Sequence, residues 1–152
     1  VQWVHHILEM ESVRIWVLGI MMPLLAFLMV SNLAKSRDFY ERVMGLSPKN
    51  SGKGTCAYET GGCELKLQID FDPIALKAFD LDPPRKGNRG DGSVYIVAIE
   101  GEIGQTYKKI KDAIKNSDGK LITEPREVPW GESMFLVRDP DGYLIEVRES
   151  TI

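Results

Sequence analysis

The chain has 152 residues, of which 43% are hydrophobic and 27% are charged, so it is long enough for one domain with a core and too short for two. This ordinary composition excludes disorder for most of the chain. A net charge of −3 and the lack of a Lys/Arg-rich run argue against a nucleic-acid partner. Cys56 and Cys63 lie too close together in sequence to staple a fold, which favours a reducing, cytoplasmic setting.

The N-terminal segment contains an apolar run over residues 15–30, broken by Gly19 and Pro23. The run is shorter than the roughly 20 residues that span a bilayer. A signal peptide is the alternative interpretation, but no small-residue cleavage pattern follows the run. We therefore expect no membrane partner, an N-terminal extension over residues 1–22, and a domain over residues 23–152 whose first strand covers 24–30.

The first half of the domain follows as a helix and three short strands. Asn32 or Ser31 is placed to cap a helix over Leu33–Met44, and Gly45 supplies its left-handed stop. Glycine-rich turns separate strands predicted near 46–51, 54–59 and 63–70. A connector over 71–92, rich in proline and charge, follows with one predicted helical turn around 74–79. Its basic cluster, residues 85–89, is typical of a solvated loop or of a flap over a cleft.

The second half repeats this order. A strand is predicted over Ser93–Ile99, a helix over 103–114 ended by Gly119, and strands near 120–128, 132–138 and 143–149. The last two strands are joined by an Asp-Pro-Asp-Gly turn at 139–142. The sequence therefore predicts an α+β fold of two tandem βαβββ modules, about 23–70 and 93–150, whose paired sheets curl around a cleft.

Alternation along the strands separates two faces, because successive side chains point to opposite sides of a sheet. The face predicted to lie under the helices is uniformly apolar: Ala26, Leu28, Val30; Leu65, Leu67, Ile69; Val94, Ile96, Ala98; Ile145, Val147. The opposite face mixes apolar, aromatic and charged residues: Leu25, Phe27, Met29; Glu64, Lys66, Gln68; Ser93, Tyr95, Val97; Leu144, Glu146, Arg148. The mixed face is interpreted either as a sheet surface open to water or as the wall of a ligand cleft.

Two segments resemble the vicinal oxygen chelate superfamily, which includes glyoxalases, extradiol dioxygenases and bleomycin-resistance proteins. They are the Ser36-Arg37-Asp38-Phe39-Tyr40 helix with its Gly45, and the strand that follows Asp139-Pro140-Asp141-Gly142. The resemblance spans about residues 24–150 and implies a glyoxalase-like half-barrel cleft and a tendency to form homodimers. Its motifs are specific for the fold and weak for function, because the superfamily hosts several chemistries.

The resemblance also implies four metal-ligand positions, which fall on Leu25, Lys66, Ser93 and Glu146. Only Glu146 is a suitable ligand for a divalent ion. The two histidines, His5 and His6, lie in the extension and form a poor chelate. We therefore expect no family-type metal, no other cofactor, and neither glyoxalase I nor dioxygenase chemistry. An ammonium group at Lys66 could instead pair with Glu146.

These features favour a metal-independent binding protein for a small organic ligand such as an antibiotic, rather than an enzyme. The candidate ligand-binding residues are Phe27, Lys66, Ser93, Tyr95, Trp130, Glu146 and Arg148. The indole of Trp130 would stack on a ligand or cap the barrel rim. The alternative is a glyoxalase-like lyase or isomerase with Glu146 as general base. A third hypothesis is an interaction domain whose cleft has lost its ligand.

Overall fold

A computed structural model describes residues 25–129 and 131–150. The predicted extension over 1–22, with His5 and His6, and the candidate Trp130 lie outside the described residues, so the predictions on them stay predictions. The elements, in chain order, are β1 (Leu25–Val30), α1 (Leu33–Asp38) continued by a π-helical turn (Phe39–Val43), β2 (Pro48–Ser51), β3 (Thr55–Glu59), β4 (Glu64–Ile69), α2 (Pro73–Lys77), β5 (Val94–Ile99), α3 (Ile103–Ile114), β6 (Lys120–Leu121), β7 (Arg126–Glu127), β8 (Ser133–Arg138) and β9 (Leu144–Glu149).

The helix of the first module begins and ends where short-range signals place it. The side chain of Asn32, not Ser31, caps it, since Asn32 Oδ1 accepts from the backbone N–H of Lys35 at 3.0 Å. Gly45 follows with a φ of 78°, the left-handed conformation expected of a helix stop. The second part of the helix is a π-helical turn, in which the N–H of Met44 bonds to the carbonyl of Phe39. Phe39, in this turn, is buried.

Each module contributes one sheet. The first has the strand order β1-β4-β3-β2, and the second has the order β5-β9-β8-β6, with β7 also paired to β8. In both modules the first strand runs parallel to the last and the remaining pairs are antiparallel. The two sheets are not closed into a barrel. The α+β fold with two βαβββ modules is therefore confirmed.

The second module departs from the sequence prediction at two places. The strand predicted over 120–128 is split into β6 and β7, since the N–H groups of Ile122 and Thr123 both donate to the carbonyl of Leu136 and Pro125 has no N–H to donate to a ladder. The second helix ends at Ile114, ahead of Gly119. Gly119 serves packing instead: a Cβ at this position would lie 2.5 Å from the ring of Phe39.

One hydrophobic cluster joins the two modules. It contains the inward side chains of β1, β3, β4, β8 and β9 together with the buried faces of both long helices. Its members are Leu28, Val30, Phe39, Tyr40, Val43, Cys56, Tyr58, Leu67, Ile103, Ile110, Ile114, Phe135, Val137, Tyr143, Ile145 and Val147. Among the residues described here, no helix is long and apolar enough to cross a membrane.

A buried polar cluster also ties the modules together, and Arg89 of the connector is its centre. Its guanidinium forms a forked pair with Asp70, with Nη2 donating to Oδ2 at 2.8 Å, and Nη1 also donates to the carbonyl of Met29 at 3.1 Å. Arg89 Nε lies 3.4 Å from Oδ1 of Asp141, which accepts from the N–H of Ser31 through its other oxygen at 3.0 Å. We name these groups the junction cluster, because they connect the end of β1, the connector and the β8–β9 turn.

Asp139 organises the same turn. Its Oδ1 accepts from the N–H groups of Asp141 and Tyr143, and its Oδ2 accepts from the hydroxyl of Tyr40 at 2.9 Å. Burial raises the pKa of Asp139 to about 6 in spite of these hydrogen bonds. Burial, and then the charge of Asp139, raises the pKa of Tyr40, which therefore stays a hydroxyl donor.

Candidate functional site

The strand faces turned away from the hydrophobic cluster form the surface that we name the cleft face. On β1, β4, β5 and β9 it consists of Leu25, Phe27, Met29, Glu64, Lys66, Gln68, Val94, Ile96, Ala98, Leu144, Glu146 and Arg148. The faces predicted for β1, β4 and β9 are those that the structure shows, with Leu28, Leu67 and Val147 buried on the other side. In the single chain the cleft face is open, since Leu25, Phe27, Val94 and Ile96 are 41–52% exposed.

The sequence predicted the wrong buried face for β5, because the alternation was placed one residue out of register. Tyr95, Val97 and Ile99 pack against the hydrophobic cluster, and Val94 and Ile96 face the cleft. Both faces of this strand are apolar, so alternation gives no signal of which face is buried. Tyr95 therefore contacts Tyr143 edge-on, with ring centroids 6.2 Å apart, and does not join the other candidate residues.

Ser93 also falls away from the cleft face. It precedes β5 on the same side as Tyr95, and its hydroxyl donates to the carbonyl of Gly90 at 3.3 Å. The ring of Tyr95 and the hydroxyl of Ser93 are thus engaged within the fold. Their predicted contact with a ligand has no support from these positions.

Glu146 lies at the centre of the second sheet's cleft face. Its partners on the neighbouring strands are Ile96 on β5 and Leu136 on β8. It is half-buried, and within the described part of the chain its carboxylate makes no hydrogen bond or ion pair. A carboxylate between aliphatic neighbours attracts a cation or a hydrogen-bond donor from a ligand.

On the first sheet, an aromatic pair and one cation share the cleft face. Lys66 Nζ lies 5.7 Å from the ring centroid of Phe27. The ring of Phe27 stacks on Phe71, with centroids 6.2 Å apart and an interplanar angle of 12°. The sequence did not predict Phe71 as a site residue, since it falls in the connector; its position two residues after the end of β4 was the available signal.

Arg148, the last candidate on this face, has a partner. Its Nη1 lies 3.1 Å from Oε2 of Glu132, and both side chains are largely covered, at 34% and 17% exposure. No ion pair joins Lys66 to Glu146 among the described residues, so the pairing suggested by the sequence is not formed. Glu146 thus remains the carboxylate on the second sheet that is available to a ligand.

The structural register allows a test of the four family metal positions. Leu25 pairs with Glu64, two residues before Lys66, and Val94 pairs with Leu144, two residues before Glu146. The fifth-strand position therefore falls on Val94 and not on Ser93. A leucine, a lysine and a valine carry no ligand for a divalent ion, so this set does not fit the family's metal. Nor do the described residues contain any group of three His, Cys, Asp or Glu side chains that could hold one.

Two βαβββ modules, each with a parallel first and last strand, define a protein of the glyoxalase-like fold. The chain belongs to the glyoxalase/bleomycin resistance protein/dioxygenase superfamily, whose family model matches residues 18–147. This match confirms the resemblance of segments 36–40 and 139–142 to the superfamily.

Relatives within this superfamily carry different names. A lactoylglutathione lyase of Neisseria meningitidis is 29% identical over 130 residues, which cover 78% of this chain and 83% of that protein. A glyoxalase-related enzyme from Fulvimarina pelagi has a TM-score of 0.68 at 18% identity, covering 86% of this chain and 88% of its own. A bleomycin resistance determinant encoded on transposon Tn5 has a TM-score of 0.57 at 16% identity, and the match covers 87% of this chain and 100% of that chain. At these identities the two structures show the fold alone.

Proposed function

We propose that this chain is a metal-independent small-molecule-binding protein of the bleomycin-resistance type, whose ligand lies on the cleft face. The observation that carries the proposal is Glu146, which is half-buried between aliphatic neighbours while the other three family metal positions hold Leu25, Lys66 and Val94. A site of this composition has a charge for a ligand but no coordination shell for a metal. A binding role needs only a shaped wall and a few charges.

The chemistry of the wall narrows the ligand to an organic cation with a flat ring system. Glu146 offers a negative charge to an ammonium or guanidinium group. The stacked rings of Phe27 and Phe71 offer a flat apolar surface at the opposite sheet. An antibiotic of the kind named for the Tn5 relative has these properties. The free thiols of Cys56 and Cys63 agree with a cytoplasmic protein that sequesters such a compound.

We also propose that a second copy of the chain completes the site as a homodimer. Four large apolar side chains on the cleft face are at least two-fifths exposed, and an apolar surface of this kind marks an interaction site. β1 and β5 are edge strands of their sheets among the described strands, so each has an outer edge without a neighbouring strand, where only the carbonyl of Met29 is known to be occupied, by Arg89 and Tyr143.

The dimer has a direct test in sedimentation of the purified chain. The unaltered chain should sediment as a dimer, and Ile96→Lys should sediment as a monomer because it places a charge in the interface. The matched control is Ile74→Lys, a similar change at an 83% exposed position on α2. A monomer at micromolar concentration for the unaltered chain, or an Ile96→Lys dimer, would reject the shared cleft.

Ligand binding is tested with metal-free bleomycin in the presence of a chelator. We expect thermal stabilisation of the chain, because a ligand that binds only the folded state stabilises it by about 2.7 kcal/mol at a concentration of 100 Kd. Glu146→Gln should weaken binding by about tenfold, or ~1.4 kcal/mol, and Phe27→Ala by a similar factor. Glu100→Gln, at an exposed carboxylate just after β5, is the control that should bind normally.

Two outcomes would contradict this proposal. A lack of stabilisation by bleomycin and by other flat organic cations would remove the binding role. Turnover of lactoylglutathione that survives the chelator and is lost in Glu146→Gln would instead establish the enzyme alternative, in which Glu146 is the general base. The identity to the lactoylglutathione lyase of Neisseria meningitidis is the observation that favours this second function.

A further inference from the structure

A second concave surface lies at the module junction, away from Glu146. The pocket has a volume of about 490 Å³ and is formed mainly by the connector. Its lining includes the charged side chains of Asp82, Arg85 and Asp91 and the apolar groups of Met29, Pro83 and Pro84. Of the lining residues only Met29 belongs to the cleft face, so the pocket adjoins that face at the end of β1. Its charged residues are different from those of the cleft face.

The walls of this pocket are held in place by close backbone packing. A Cβ at Gly142 would lie 2.5 Å from the backbone of Asn88, and a Cβ at Gly90 would lie 2.7 Å from Cα of Tyr143. The N–H of Arg89 donates to the carbonyl of Asp141 at 3.1 Å. The connector is therefore docked on the β8–β9 turn without space for a side chain between them, and the pocket is preformed.

Charges of both signs line the pocket without partners. In the part of the chain that the structure describes, Asp82, Arg85 and Asp91 make no hydrogen bond or ion pair through their side chains, and all three are exposed. The side chain of Arg89, only 6% exposed, is engaged by Asp70, Asp141 and the carbonyl of Met29, so it forms a fixed wall of the pocket. Asp82, Arg85 and Asp91 are therefore the charges that a ligand of complementary charge can pair with.

We propose that the junction pocket binds a small zwitterion of the α-amino-acid class. The carboxylates of Asp82 and Asp91 bind the ammonium group, and the guanidinium of Arg85 binds the carboxylate. The two proline rings and Met29 provide apolar surface for the ligand's side chain. This site goes beyond the proposed function, because none of its charged residues lies on the cleft face.

Calorimetric titration of the full chain with L-methionine and L-phenylalanine tests this inference. We expect saturable binding of at least one of the two. The N-acetyl derivative, which lacks the ammonium group, and the carboxamide, which lacks the carboxylate, should each bind at least tenfold more weakly. The double variant Asp82→Asn/Asp91→Asn and the single variant Arg85→Gln should also lose at least tenfold, because each removes one of the two complementary charges.

Matched controls separate this site from the cleft face. Lys86→Gln changes a neighbouring exposed cation that does not line the pocket and should bind both amino acids normally. Glu146→Gln should also bind them normally, while Arg85→Gln should leave bleomycin binding unchanged. The inference is overturned if neither amino acid binds, or if the charge-removing variants bind as tightly as the unaltered chain. Either result leaves the proposed cleft function standing.

Discussion

Replacing Arg89 by methionine should lower the free energy of unfolding by about 3 kcal/mol, since removal of one partner leaves a buried charge uncompensated. Asp141 is 4% exposed and would keep its carboxylate beside an apolar side chain, while the carbonyl of Met29 would keep only the hydroxyl of Tyr143 as a donor. Asp70 is one-third exposed, so water partly replaces its lost partner Arg89. We therefore place the loss of unfolding free energy at the lower end of the usual range. Urea unfolding at neutral pH measures the change directly.

Two companion variants show whether the pair geometry or the charge matters. Arg89→Lys keeps the charge but loses the forked contact with Asp70, so it should fall between the unaltered chain and Arg89→Met. Lys86→Met, at an exposed position in the same connector, should stay within about 0.5 kcal/mol of the unaltered chain. A similarly small change for Arg89→Met would show that the junction cluster does not hold the modules together.

Local signals in the sequence were sufficient for much of the fold. The caps at Asn32 and Gly45 were correct because each depends on a few neighbouring atoms. The Asp-Pro-Asp-Gly turn and the repeated element order were recognisable for the same reason. Pro125 is a signal for the break between β6 and β7, but the pattern of residues on either side of it is also typical of one continuous strand.

The candidate site was harder to predict because it depends on contacts between distant segments. The face of β5 could not be chosen from alternation, since Tyr95 and Val97 look as buriable as Val94 and Ile96. The role of Phe71 follows only from its stacking on Phe27, which is distant in sequence but lies on β1, the strand next to β4. The basic run of the connector was interpreted as a solvated loop or flap. In the structure Arg89 of this run is buried and pairs with Asp70 and Asp141.

The raised pKa of Asp139 predicts a stability that falls as the pH rises from about 4 to about 6. The folded-state pKa of about 6 exceeds the ordinary value of 3.8, so the folded chain holds the proton more tightly than the unfolded chain does. The contribution is therefore fully present below pH 4 and is lost as the pH passes through 6. A shift of about two units corresponds to about 3 kcal/mol.

Asp139→Asn isolates this contribution, because asparagine has no charge to desolvate. The free energy of unfolding of the unaltered chain minus that of Asp139→Asn should decrease by about 2.5 kcal/mol between pH 4 and pH 7. Asp38 and Glu41 act in the opposite direction, since hydrogen bonds from Arg42 and Arg37 lower the pKa of each carboxyl, and both terms cancel in the difference. Asp112→Asn, at an exposed carboxyl, should show no such decrease. A difference that is flat or rises with pH would mean that Asp139 is ionised in the folded chain throughout this range, with its charge balanced by Tyr40 and the two backbone N–H groups.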